Sequence, residues 1–263
     1  MMDPTRDAEG MVEGYRPSTY GDRFADVYDE WYTGVTDVDA TVARVAALAD
    51  PGGAVLELGA GSGRLAVPLA GLGLDVWALD ASGAMLDRLR AKPGGDRVHA
   101  VEGDMAAIAL GPGAPERFAV VLCAFNTLFN LTDREAQARC LARVAAVLAP
   151  GGRLVVEAFV PPPGEEGEAV VGAVEPRHIG LDEVVLTVSR LDPSTRTVVG
   201  QHVQITEAGV RLRPWVLHYA TPDEIDALAA DAGLRLVDRH AGWSDEPYTP
   251  SSDTHVSTYA PAG

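Results

Sequence analysis

The chain has 263 residues, 47% hydrophobic and 22% charged, with two cysteines and a formal net charge of −17. This make-up suits one α/β domain with an insertion; it excludes a disordered chain and a disulfide scaffold, and no apolar run approaches the roughly 20 residues of a membrane-spanning helix. The basic residues cluster only at Arg88, Arg90 and Lys92, the single lysine, so the acidity argues against nucleic acid or an anionic membrane surface as partner, since both are held by Lys and Arg.

Residues 1–14 are polar and acidic, unlike a signal peptide, so a cytoplasmic location is expected. Residues 15–32 carry Tyr15, Tyr20, Phe24, Tyr28, Trp31 and Tyr32; the last four fall at helical spacing, which fits a packing helix and equally a lid. A helix is expected over 40–49, with Asp39 as its cap. Pro51-Gly52-Gly53 is a turn, and 54–58 is a short apolar strand running into Gly59-Ala60-Gly61-Ser62-Gly63. Helix 64–72, strand 75–79, helix 82–91, strand 98–101 and strand 118–124 follow. Thr132-Asp133-Arg134-Glu135 fits a capping box for a helix reaching Leu148, and Pro150-Gly151-Gly152 ends it before strand 153–159. This alternation predicts a doubly wound, largely parallel α/β sheet.

After Val160 the pattern changes. A Pro-rich, acidic loop leads to three β-rich segments with no helix between them: 183–191, 197–206 and 210–219. They read as an antiparallel extension, too long for a simple loop. Thr221-Pro222-Asp223-Glu224 opens another helix, and 234–242 and 255–259 supply the last two strands. The expected organisation is a lid over 1–38, an α/β core over 39–160, the extension over 161–220, and a final helix with two strands over 221–263.

The chemistry is read chiefly from the strand–turn–helix at Glu57 to Arg64. Glycines let a ligand approach the backbone closely, and the N–H groups of a helix start favour an anionic group. A nicotinamide fingerprint would need Gly at position 64, which holds Arg64; the spacing is G-x-G-x-G instead. The turn is therefore expected to hold an amino-acid moiety, with Arg64 or backbone N–H groups near its carboxylate. Asp80 ends the second strand, where an acid grips ribose hydroxyls in this architecture; alone, it would equally be a helix cap. Met85 fits a contact to adenine or the core. Asp104, between Gly103 and Met105, can accept from an exocyclic amine or simply belong to a turn. The six histidines show no metal-ligand spacing, so no metal is expected.

Together the ordered set, Glu57 to Arg64, Asp80, Gly103-Asp104-Met105 and Pro150-Gly151-Gly152, resembles class I S-adenosylmethionine-dependent methyltransferases. The resemblance covers residues 20–159 and resumes at 221. It implies a Rossmann-like seven-stranded sheet, S-adenosylmethionine as cofactor and S-adenosylhomocysteine as product. The segment Tyr20-Gly21-Asp22-Arg23-Phe24-Ala25-Asp26-Val27-Tyr28-Asp29 is similar to the start of bacterial amino-sugar N,N-dimethyltransferases of antibiotic pathways, which also carry an extension after the fifth strand. That likeness implies that Tyr20, with Tyr28 and Tyr32, covers the cofactor, and that a small-molecule acceptor, such as an amino sugar or another secondary metabolite, binds between lid, extension and the ends of strands four and five. The expected cofactor contacts are Tyr20, Tyr28, Tyr32, Glu57, Gly59, Ala60, Gly61, Arg64, Asp80, Ala81, Met85, Gly103, Asp104, Met105, Cys123 and Phe125. Phe125, Phe129 and Trp215 suggest an apolar acceptor pocket or core. Should the acceptor need a base, the candidates are Glu157, His178 and His218, although no catalytic residue is established by sequence. Two other readings stay open: an NAD(P)-binding oxidoreductase, disfavoured by Arg64, and a non-catalytic S-adenosylmethionine-binding partner protein. An exposed edge of the extension could support a homodimer.

Overall fold

Apolar residues on both faces of β1 (Val55–Leu58) place it at the centre of a sheet, with all four of its residues buried. The computed structural model describes residues 12–49, 52–161 and 170–263. The expectations for residues 1–11, for Pro51 and for the Pro-rich acidic loop at 162–169 lie outside the described residues.

β1 pairs in parallel with β2 (Val76–Asp80) and β4 (Phe118–Cys123); β2 pairs with β3 (His99–Glu102), and β4 with β5 (Leu148–Phe159). β10 (Leu234–His240) and β11 (Thr254–Pro261) complete a seven-stranded sheet of order β10-β11-β5-β4-β1-β2-β3, in which β11 runs antiparallel to both neighbours. Alternation along β1 sends Val55 to one core and Leu56 and Leu58 to the other. The first core packs under α3 (Val38–Leu48), α4 (Ala66–Gly71) and α5 (Gly83–Ala91); the second packs under α6 (Arg134–Val147) and α7 (Pro222–Asp231). The strand order reverses at β1, so the carboxyl ends of β1, β2 and β4 open onto the crevice where ligands bind in such sheets.

Several local expectations shift by a residue or two. α3 is capped by Asp37, whose side chain accepts from Ala40 N–H, and not by Asp39. α6 is capped by Asp133, not Thr132, because the extended backbone at Asp133 brings its carboxylate to Ala136 N–H. The capping box at Thr221 and Glu224 forms as expected. The aromatic segment breaks into α1 (Thr19–Phe24) and α2 (Tyr28–Trp31).

The extension has four strands rather than three: β6 (Val171–Ile179), β7 (Glu183–Asp192), β8 (Thr197–Thr206) and β9 (Gly209–His218), antiparallel in that order. Cross-strand register sorts its faces. His202 lies opposite Arg213 and Gly200 opposite Trp215, on the face that meets α1 and the cavity. Pro176, Leu186, Val203 and Leu212 line up on the other face, as do Ile179, Val184, Ile205 and Val210.

Candidate functional site

A cavity of about 470 Å³ lies where the turns after β1, β2 and β4 meet α1, α2 and the inner face of the extension. The turn after β1 depends on its glycines. Gly59, Gly61 and Gly63 have φ of +61°, +55° and +78°, values that favour residues without a Cβ. A Cβ on Gly59 would collide with Thr127, and one on Gly63 would lie 2.6 Å from Leu89 Cγ.

Asp80 braces this turn. Its Oδ2 accepts from Gly61 N–H at 2.7 Å and its Oδ1 from Ser82 N–H at 2.8 Å. A carboxylate has about four lone-pair sites, so two stay open toward the cavity. Burial raises the Asp80 pKa, opposed by the Ser82 and Gly61 N–H bonds. Glu57 is 4% exposed, and burial pushes its pKa up to about 8 despite the nearby Arg64 guanidinium. Glu57 Oε2 and Arg64 Nη1 are buried with no hydrogen-bond partner among the described residues. An orphaned carboxylate oxygen and an orphaned guanidinium nitrogen on one cavity wall are complementary to the ammonium and carboxylate of an amino acid. Across the cavity Asp104 spends Oδ1 on Ala106 N–H at 2.8 Å, and no described residue hydrogen-bonds its Oδ2.

The roof is aromatic. Tyr20 stacks on Phe24 with ring centres 4.5 Å apart, and Tyr28 stacks on Tyr32 at 4.7 Å. Three acids of the same segment fasten it at three places. Asp22 accepts from Ser82 Oγ at 2.6 Å. Asp26 pairs with the buried Arg213 of β9 at 2.6 and 3.0 Å. Asp29 accepts from Ser62 Oγ at 2.5 Å and from Lys92 Nζ at 2.7 Å. The single lysine is therefore a tie between lid and glycine turn rather than a solvated charge.

Of the expected cofactor contacts, all but Cys123 line this cavity. Cys123 is 1% exposed; its side chain turns into the core with Leu128 and Cys140, and burial pushes its thiol pKa well up. The three base candidates are not on the cavity wall. The Glu157 carboxylate accepts from Phe125 N–H at 2.7 Å. His178 is exposed on β6, and His218 is half-buried near the start of α6. Phe125 and Trp215 reach the cavity, whereas Phe129 is core. Sequence reasoning missed His202, which lines the cavity within a box formed by Phe24, Trp31 and Trp215 and meets Thr187 Oγ1 through Nδ1 at 3.0 Å. Burial, with Arg177 and Arg213 nearby, pushes its pKa down to about 4. Its signal was available in principle: His202 interrupts a strand at the same alternating position as Gly200.

A methyltransferase-domain family matches residues 55–152. The chain is 40% identical to the CcbJ methyltransferase from Streptomyces caelestis, covering 95% of this chain and 100% of that one, with a TM-score of 0.84. The cypemycin N-terminal methyltransferase of a Streptomyces species is 28% identical over 239 residues, 90% of this chain and 95% of that protein. CalS10 from Micromonospora echinaspora, an amino pentose methyltransferase involved in calicheamicin biosynthesis with S-adenosylmethionine bound in its structure, is 26% identical, covers 88% and 96% of the two chains, and superposes with a TM-score of 0.61. The chain belongs to the S-adenosylmethionine-dependent methyltransferases, and S-adenosylmethionine is its cofactor. Among the described residues no helix is long and apolar enough to cross a membrane.

Proposed function

We propose that the chain methylates an amine nitrogen of a small-molecule acceptor, such as an amino sugar. Bound S-adenosylmethionine supplies a methyl group made electrophilic by its sulfonium. The rest is the work of this chain's side chains. Glu57 and Arg64 hold the amino-acid end, where their orphaned atoms find partners. Asp80 accepts from the ribose hydroxyls with its two open lone-pair sites, and Asp104 Oδ2 accepts from the adenine amine. Tyr20, Tyr28, Tyr32 and Phe125 exclude water from the reacting end. The acceptor enters between Tyr15, Trp215 and Leu217, and holding its nitrogen in line accounts for the larger part of the rate.

The observation that carries the choice of nitrogen is the chemistry of the cavity wall. His202, the histidine on that wall, is too weak a base at neutral pH with its pKa near 4. Asp133 gives one oxygen to Ala136 N–H as the cap of α6, and the Tyr28 phenol is pushed up to about 12 by burial. A hydroxyl acceptor would call for a base in the transition state, whereas a neutral amine needs none. Two relatives bear names that specify amines, an N-terminus and an amino pentose. The test is turnover on matched pairs of acceptors, each amino sugar beside its hydroxy counterpart, read as S-adenosylhomocysteine formed. Turnover confined to the amines is expected; turnover on the hydroxyl member overturns the assignment.

We also propose that two copies of the chain associate through the outer face of the extension. At the β9 edge Val216 N–H is taken up by Tyr15 Oη. The outer face exposes Val174, Ile179, Val210 and Leu212, each at least half exposed. Four strands about 4.8 Å apart, three of ten residues and one of nine, give a flat area of roughly 600 Å². Side-chain relief brings that close to the ~800 Å² per partner of a stable interface. In this reading the described residues of 12–38 form the lid, those of 39–161 with 221–263 the cofactor core, and 170–220 a unit that closes the acceptor side with one face and meets a second copy with the other.

A further inference from the structure

Glu157 stands at the end of β5, beside the cavity but off its wall, with one carboxylate oxygen and its carbonyl engaged. Its Oε2 accepts from Phe125 N–H at 2.7 Å, and its carbonyl accepts from Asn126 N–H at 2.9 Å. Two residues along the strand, Phe159 N–H donates to Asn126 Oδ1 at 2.7 Å. Three hydrogen bonds thus tie the tip of β5 to Phe125 and Asn126. Both of those residues are in the left-handed region, with φ of +48° and +62°. Residues with a Cβ hold such angles only where the surroundings over-determine them, and consecutive ones need more than a passing contact. The bend places the Phe125 ring under the Arg64 guanidinium, 5.4 Å from its centre, and edge-on to Tyr32 at 5.9 Å. Arg64 is otherwise short of partners, with Nη1 buried and unbonded.

We infer that Glu157 is a positioning residue. Its carboxylate closes the Phe125–Asn126 bend, and through the Phe125 ring it aims Arg64 at the amino-acid end of the cofactor. This rests on the assignment of that end to Glu57 and Arg64. Glutamine at 157 still offers an oxygen to Phe125 N–H, whereas aspartate keeps the charge but is one methylene too short to reach it. A proton acceptor at 157 would rank the two variants the opposite way.

The test uses two ligands measured by calorimetry on the full chain. S-adenosylhomocysteine carries the amino-acid end; 5′-methylthioadenosine lacks it. Glu157→Asp is expected to weaken S-adenosylhomocysteine about tenfold, the cost of one charge-assisted hydrogen bond, and to leave 5′-methylthioadenosine unchanged. Glu157→Gln should bind both as the wild type does. Hydrogen exchange at the Phe125 amide should quicken in Glu157→Asp and stay slow in Glu157→Gln. Wild-type affinity for S-adenosylhomocysteine in Glu157→Asp overturns the inference, as does equal weakening of both ligands or a larger loss in Glu157→Gln. If the wild type itself gains nothing from the amino-acid end, the assignment of Glu57 and Arg64 fails first, before any variant is compared.

Discussion

Glu57 is the residue whose environment says most about the cofactor. Alone in its buried site the carboxyl keeps its proton to about pH 8, because burial penalises the charged form more than Arg64 favours it. An ammonium placed against Oε2 reverses that balance, so binding of an amino-acid moiety at pH 7 should expel about one proton. Calorimetry of S-adenosylhomocysteine in buffers of different ionisation enthalpy measures this directly. The affinity should climb from pH 6 toward pH 8, and Glu57→Gln should release no proton and lose the climb. Uptake of a proton, or none, in the wild type would place the ammonium elsewhere. The glycine turn was legible because the spacing of Gly59, Gly61 and Gly63 reports a backbone that missing side chains favour, and Asp80 and Asp104 reach the cavity wall because each follows a strand's carboxyl end. Cys123 was misread because a strand's end does not show which face its final side chain takes. Glu157 falls off the cavity wall, and a carboxylate that accepts from a backbone N–H at a bend looks, in sequence, the same as one that moves a proton.

At the scale of elements, the core alternation of strand and helix was readable, and so were three strands of the extension; β6 and the sorting of the sheet's faces were not. Its outer set includes Leu186, Val203, Ile205 and Leu212; its inner set mixes the apolar Val185, Val198, Trp215 and Leu217 with His202, Gln204, Arg211 and Arg213. The usual rule, apolar inward, does not separate these faces, because both carry apolar residues. The polar residues of the inner face grip the lid and line the cavity, and in the proposed association the outer face meets a second copy. Leu212→Glu should therefore convert a dimer to a monomer in sedimentation while leaving S-adenosylhomocysteine binding intact; a wild-type monomer at micromolar concentration would refute the association. The lid obeys a similar close fit. A Cβ on Gly21 would collide with Ser82 Cβ and sit 3.1 Å from Met85 Cγ, so α1 could not seat on α5. Gly21→Ala should cost about 1–3 kcal/mol of overpacking and speed proteolysis within residues 12–32. Unchanged cleavage and melting would show that α1 rides free of α5.

Across the whole molecule the buried titrating groups pull stability in opposite directions with pH. His202 and His255 are held neutral by burial, each with a pKa near 4, and His218 is lowered by the same cause. The unfolded chain takes up protons on these imidazoles from about pH 6.5 downward while the folded chain does not, so their contribution is complete above that pH and is lost as pH falls toward 4. Glu57 acts with the other sign. Its folded pKa near 8 lies above the ordinary 4.5, so the folded chain keeps a proton that the unfolded chain has released. Stability therefore declines as pH rises from about 4.5 through 8 and is level beyond. Asp80 shifts in the same sense. Below pH 6.5 His202 and His255, two groups held near 4, outweigh the single Glu57 and stability climbs with pH; above it Glu57 acts without their opposition and stability falls. Thermal melts of the ligand-free chain should peak near pH 6–6.5. Glu57→Gln should flatten the alkaline limb, and saturating S-adenosylhomocysteine should flatten it too, because the ionised carboxylate then faces an ammonium. A ligand-free maximum at pH 8 that Glu57→Gln leaves in place would mean that Glu57 is charged in the empty site, and the cavity would have to be electrically preset for its cofactor rather than charged by its arrival.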